Sequence, residues 1–236
     1  MLEVRDIETY RGRAQILRRV SLEVGAQESV VLVGRNGAGK TTTIDSIIGL
    51  LFTRGGRITF QGKDIGSLPP YRRARLGIGY AAEDAGIFPD LTVSENFQIC
   101  QWLAQSSGRA EHVDQVYDRV YAIFPEVREL LQRQGLHLSG GQKKMVAIAR
   151  AMMLAPSILL LDEPFEGLAP VVVTRLIEAV RKIKELKISV LIAESNLANA
   201  SRVADRLYAI DRGEIIYQGD PKRVIENQDV MNTIRG

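Results

Sequence analysis

An unbroken apolar run, Val30-Val31-Leu32-Val33, leads straight into Gly34-Arg35-Asn36-Gly37-Ala38-Gly39-Lys40-Thr41, and the segment that follows through Ile48 has the pattern of a helix. A run that is apolar at every position predicts a strand buried on both faces, as in a parallel sheet. The eight residues fit G-x-x-x-x-G-K-[ST], a pattern whose meaning depends on lying between a strand and a helix. Its glycines let successive backbone N–H groups turn toward one centre, and the helix N-terminus adds its positive dipole end. Gly34, Asn36, Gly37, Ala38 and Gly39 are therefore expected to cradle phosphates, with Lys40 on the β- and γ-phosphates. Thr41 is expected on Mg²⁺, and Thr42 adds a phosphate hydrogen bond. The ligand class is a nucleoside triphosphate. The bland alternative is a glycine-rich turn with an incidental lysine.

A second apolar run, Ile158-Leu159-Leu160-Leu161, ends in Asp162-Glu163, and a third is Val190-Leu191-Ile192-Ala193. A helical stretch from about Val171 to Leu186 separates them, and strands alternating with helices predict an α/β fold. In such sheets ligands bind at the carboxyl ends of the strands. Two acids there suit a metal-bound phosphate: Asp162 in the Mg²⁺ shell, and Glu163 as the general base for an attacking water. A pair of exposed acids at a strand end is the plain alternative, and the phosphate loop argues against it.

The rest of the chain frames this core. Leu2–Ile7 and Val20–Val24 read as two strands of a small antiparallel layer. Leu207–Ile210 and Glu214–Tyr217 form a hairpin about Asp211-Arg212-Gly213, and a short helix follows Pro221. Roughly Leu91 to Gln134 lacks strand pattern and carries helical spacing at Val113, Val116, Val120 and Phe124, with Pro89 and Pro125 as breaks. One domain, 1–236, is expected, with a core of 1–86 and 155–236 and a helical subdomain of roughly 87–154. One cysteine, Cys100, rules out an intramolecular disulfide, and the two histidines, His112 and His137, form no metal-ligand spacing. A formal charge of +3 from 31 basic and 28 acidic residues does not by itself argue for nucleic acid. No apolar run approaches the ~20 residues of a spanning helix, so a chain that neither crosses a membrane nor is secreted is expected.

Leu138-Ser139-Gly140-Gly141-Gln142, followed by Lys143-Lys144-Met145-Val146-Ala147-Ile148-Ala149, separates the options left open by the phosphate loop. Ser139 is a good N-cap, the glycines permit close approach of backbone to ligand, and Met145, Ile148, Ala149 and Met152 make an apolar helix face. This segment resembles the ABC ATPase signature, and the resemblance covers essentially the whole chain with its motifs in the family's order. It implies a P-loop core with a mostly parallel sheet, an N-terminal antiparallel layer and a helical subdomain, acting as an ATPase on ATP and Mg²⁺. It also implies that Ser139, Gly140, Gly141 and Gln142 serve ATP held by the loop of a second cassette, in a head-to-tail dimer. Tyr10 matches the family's aromatic that stacks on adenine.

The resemblance has departures. Glu83, in Tyr80-Ala81-Ala82-Glu83, stands where most such cassettes carry a glutamine, and it still offers an oxygen to Mg²⁺. Ser195 stands where the family's switch histidine orients water on the γ-phosphate, so this chain's own site is expected to be weakened. Ala169 replaces the aspartate of the segment Glu166-Gly167-Leu168-Ala169-Pro170. These changes suggest an unequal heterodimer, although a homodimer is compatible.

Leu68 through Tyr80 and Ile87 through Asn96 look like the branched-chain amino-acid type of importer. That likeness implies transmembrane permease subunits, a substrate-binding protein outside the membrane acting indirectly, and a peripheral place on the cytoplasmic face. Ile87 to Glu95, beside Glu83, is the expected surface for a permease helix. Arg72, Arg73 and Arg75 are read as a solvated helix face rather than a nucleic-acid surface. The rival readings are a catalytically weak regulatory cassette and a soluble ABC ATPase acting on ribosomes or DNA.

Overall fold

The computed structural model describes residues 1–105 and 113–235; residues 106–112 of the predicted helical insertion, His112 included, lie outside the described residues. In chain order the elements are β1 (Leu2–Arg11), β2 (Ala14–Val24), β3 (Ser29–Val33), α1 (Lys40–Ile48), β4 (Thr53–Phe60), β5 (Lys63–Asp64), α2 (Pro70–Arg75) and β6 (Ile78–Ala81). Then come α3 (Val93–Gln105), α4 (Val113–Ile123), α5 (Val127–Leu130), α6 (Gly140–Met152), β7 (Ile158–Asp162) and α7 (Pro170–Glu185). The chain closes with β8 (Ser189–Glu194), α8 (Leu197–Val203), β9 (Arg206–Asp211), β10 (Glu214–Gly219) and α9 (Gln228–Arg235).

The three apolar runs are β3, β7 and β8 of a six-stranded sheet ordered β10-β9-β3-β8-β7-β6. Its strands are parallel from β9 to β6, and β10 pairs antiparallel on the edge. Each run is apolar throughout because both faces are covered, with alternate residues going to opposite sides. Val31 and Val33 join Leu159, Leu161, Val190 and Ile192 under α3, α4, α6 and α7. Val30 and Leu32 join Ile158, Leu160, Leu191 and Ala193 against α1 and a four-stranded antiparallel sheet, β2-β1-β4-β5. The helical spacing predicted beyond Pro89 also buries a face: Val116, Val120 and Phe124 are in the core. α4 ends at Ile123, just before Pro125, which cannot continue it.

Two corrections follow. The N-terminal strands are longer than their apolar cores, because β1 and β2 run on through polar residues to a hairpin at Gly12-Arg13. Arg73 is not on a solvated face: it is 3% exposed and donates to the carbonyls of Ser46, Ile47, Leu68 and Gly66. Two of these belong to the last turn of α1, whose carbonyls have no partner within the helix, so the guanidinium caps the negative end of the dipole. Arg72 and Arg75 remain outside.

Candidate active site

The loop after β3 turns as the glycine pattern requires. Gly39 has φ 115 and starts α1, a conformation closed to other residues at little cost, and a Cβ on Gly34 would meet the Ile210 carbonyl oxygen at 2.4 Å. Lys40 is 4% exposed, and its Nζ donates to the carbonyls of Gly34, 2.8 Å, and Arg35, 3.2 Å. The ammonium is thus held over its own loop.

β7 places Asp162 and Glu163 beside that loop, because β7 and β3 flank β8 and all three end together. Thr41 Oγ1 donates to Asp162 Oδ1 at 3.3 Å, and Asp162 Oδ2 is buried with no protein partner. Burial pushes the Asp162 carboxyl up to about 6; the Thr41 hydrogen bond opposes the shift, and the charges of Glu163, Glu83 and Asp45 add to it. A buried acid with a free oxygen next to a hydroxyl suits a hard cation. Among the described residues no three His, Cys, Asp or Glu side chains gather as a metal-holding group.

Glu163 is 3% exposed, with φ 44, a left-handed backbone that is uncommon for a side chain of this kind. Its Oε1 lies 2.9 Å from Lys40 Nζ, and its Oε2 accepts from the Ser195 N–H at 3.0 Å and hydroxyl at 3.2 Å. Ser195 is therefore brought directly onto the predicted base. Lys144 Nζ donates to the Glu163 carbonyl at 2.5 Å, and Glu194, buried behind Ser195, accepts from the Asn196 N–H. Burial raises Glu194 to about 7, helped by the neighbouring Glu163 charge. The sequence reading missed Lys144 and Glu194; for Glu194 the available signal was an acid directly at the carboxyl end of the apolar run of β8.

A cavity of about 480 Å³ opens here, lined by Arg11, Ile16, Asn36, Gly37, Gly39, Lys40, Thr41, Thr42, Glu83, Glu163 and Glu166. Glu83, expected to offer an oxygen to Mg²⁺, is among the lining residues. Tyr10 does not line it: the guanidinium of Arg54 lies 4.3 Å from the centre of its ring. Ser139, Gly140, Gly141 and Gln142 do not line it either. Ser139 caps α6 with a reciprocal bond, Gln142 N–H to Ser139 Oγ at 3.3 Å and Ser139 N–H to Gln142 Oε1 at 2.9 Å, which leaves Ser139 and Gly140 on the surface. A larger hollow, about 620 Å³, lies at the opposite ends of the strands near Pro156 and Ile188, away from loop and acids alike.

A phosphate loop joining a parallel strand to a helix, with an acid pair at the adjacent strand end, defines a P-loop nucleoside triphosphatase. The ABC transporter family matches residues 17–166. A probable ABC transporter ATP-binding protein of Azorhizobium caulinodans is 37% identical over 97% of this chain and 80% of its own. The high-affinity branched-chain amino acid transport ATP-binding protein BraG of Pseudomonas aeruginosa is 32% identical over 100% of both chains, and the lipopolysaccharide export system ATP-binding protein LptB of Escherichia coli 33% identical over 97% and 94%. The crystal structure of the ADP conformation of MJ1267, an ATP-binding cassette of an ABC transporter, superposes with a TM-score of 0.86 at 29% identity, covering 100% of this chain and 98% of that one. The chain belongs to the ABC transporter family, as an ATP-binding cassette that hydrolyses ATP.

Proposed function

We propose that this chain is the motor subunit of an importer for branched-chain or related amino acids, working with transmembrane permease subunits and a second cassette. The observation that carries the importer reading is the full-length likeness to BraG. In the site, Gly34 to Lys40 bind the phosphates, Thr42 adds a hydrogen bond, and Glu163 takes a proton from the attacking water. Thr41, Asp162 and Glu83 hold Mg²⁺, which supplies positive charge to the phosphate oxygens. Lys40 leaves Glu163 for the γ-phosphate when ATP enters, freeing the base. The exposed Ser139 and Gly140, with Gly141 and Gln142, meet the ATP of the partner cassette.

No helix among the described residues is long and apolar enough to cross a membrane; the peripheral place on the cytoplasmic face follows from the proposed permease partners. An apolar groove of about 280 Å³ among Ile48, Leu50, Pro70, Tyr71, Ala74 and Tyr80 supports permease docking on this chain, in addition to the expected Ile87–Glu95 surface. Leu50 and Tyr71 in the groove, and Phe88 in the Ile87–Glu95 segment, are about half exposed.

A second reading, a catalytically weak cassette, is favoured by Ser195, whose N–H and hydroxyl both grip Glu163. Cross-linking and purification from native membranes test the first reading: a permease and a second cassette are expected, with ATPase activity stimulated by a leucine-loaded binding protein. Stimulation by lipopolysaccharide instead would make the complex an exporter, and recovery with ribosomes would remove the membrane role. In that complex Glu163→Gln should keep ATP binding and lower turnover at least ~100-fold. Ser195→His raising turnover about tenfold would favour the weak-site reading.

A further inference from the structure

We propose that Lys144 is a positioning residue for hydrolysis: its ammonium, reaching across from α6, holds the backbone carbonyl of Glu163 and so aims the base. This rests on Glu163 acting as the general base, and it goes beyond that reading by adding a residue that is not among those lining the loop cavity.

The backbone of Glu163 needs holding. Its φ of 44 lies in the left-handed region, and Pro164 follows it, a neighbour that ordinarily pushes the preceding residue toward extended backbone. Such a conformation persists only where its surroundings over-determine it. The Glu163 N–H donates to the Ala193 carbonyl at 2.9 Å, which ties one side of the residue to β8. Its carbonyl accepts from Lys144 Nζ at 2.5 Å and, at the longer distance of 3.3 Å, from the Glu166 N–H. The lysine therefore makes the shorter of the two bonds that fix the other side. If the peptide after Glu163 turns, the direction of the side chain turns with it.

The holds on the side chain itself change when the site is used. Glu163 Oε1 pairs with Lys40, and Oε2 accepts from the N–H and hydroxyl of Ser195. Under the proposed function Lys40 moves to the γ-phosphate, so the first of these is given up as ATP enters. Ser195 on one oxygen and Lys144 on the backbone remain. The lysine does not compete with the reaction, because it occupies the carbonyl and leaves Oε1 open to water.

The setting of Lys144 suits a fixed strut. It projects from a helix whose start is locked by the reciprocal bonds of Ser139 and Gln142 and whose Val146, Ala147, Ile148 and Ala149 are buried in the core. Its side chain is half-buried. Burial lowers the value of the ammonium, and the charges of Glu83, Glu166, Asp162 and Glu163 oppose that shift. A charged donor on a backbone carbonyl makes a stronger bond than a neutral one.

Steady-state turnover against ATP concentration in the assembled complex reads the role. Lys144→Met removes the ammonium and keeps most of the stem. It is expected to lower kcat about tenfold and to leave KM within about twofold, because aim is lost while the groups that bind ATP are untouched. Lys144→Arg keeps a charged donor and is expected to bring kcat back to within about threefold of wild type. Added to Glu163→Gln, Lys144→Met should leave the ATP-dependent dimer intact by light scattering, which shows that the fold and the signature surface are unharmed. A kcat in Lys144→Met within about twofold of wild type would overturn the assignment, as would a loss that takes the dimer with it or that Lys144→Arg does not recover. Glu163→Gln turning over at the wild-type rate would instead strike at the general-base reading.

Discussion

At the scale of single residues, the site is a set of charges that hold one another until a ligand arrives. Lys40 and Glu163 are each 4% exposed in their side chains and form an ion pair at 2.9 Å. Removing one partner would leave a buried charge uncompensated, so Glu163→Gln frees Lys40 for phosphate while removing the base. Glu194 and Asp162 behave differently, because burial favours their neutral forms at about 7 and about 6. An acid whose folded value lies above its unfolded one stabilises the fold below the ordinary carboxylate range, and that contribution is lost as pH rises through 6 to 7. Glu194→Gln removes its share of the loss. Thermal melting of the nucleotide-free chain should therefore show the variant gaining ~2–4 °C over wild type at pH 8 and nothing at pH 4, below the ordinary glutamate value.

At the scale of elements, α1 connects the phosphate loop at its N-terminus to the apolar groove at its C-terminus. Arg73 secures the C-terminal end of that connection, lining the groove and bonding to the Ser46 and Ile47 carbonyls. Arg73→Ala leaves two buried and two part-buried carbonyls without this donor and should cost ~3 kcal/mol in denaturant unfolding, far more than Arg72→Ala, which is exposed. The three arginines looked alike in sequence because helical spacing separates one from its neighbours only when the packing partner is known. The buried strands β3, β7 and β8 were legible as apolar runs. β4 was not: its Thr-Arg-Gly-Gly-Arg-Ile-Thr-Phe carries two glycines and two arginines, and pairing with β1 holds it in place.

For the whole molecule, phosphate loop and signature lie on separate parts of the surface, and none of Ser139 to Gln142 lines the loop cavity. Under the proposed function these residues meet the ATP of a second cassette, so the site they serve is complete only in a pair. Ser139→Arg should therefore leave ATP binding by the single chain unchanged and abolish the ATP-dependent dimer of the Glu163→Gln variant, read by light scattering. Loss of nucleotide binding in the single chain would place the signature in its own site instead.

The sequence by itself determined the nucleotide chemistry and the α/β core, because a phosphate loop, an acid strand end and an unbroken apolar run are local patterns whose physics needs few neighbours. It also carried the family, through motifs in a set order. Only the tertiary structure decided which side chains share a space: Ser195 on Glu163, Arg73 under α1, and Lys144 on the Glu163 carbonyl. Those outcomes turn on packing between elements far apart in the chain.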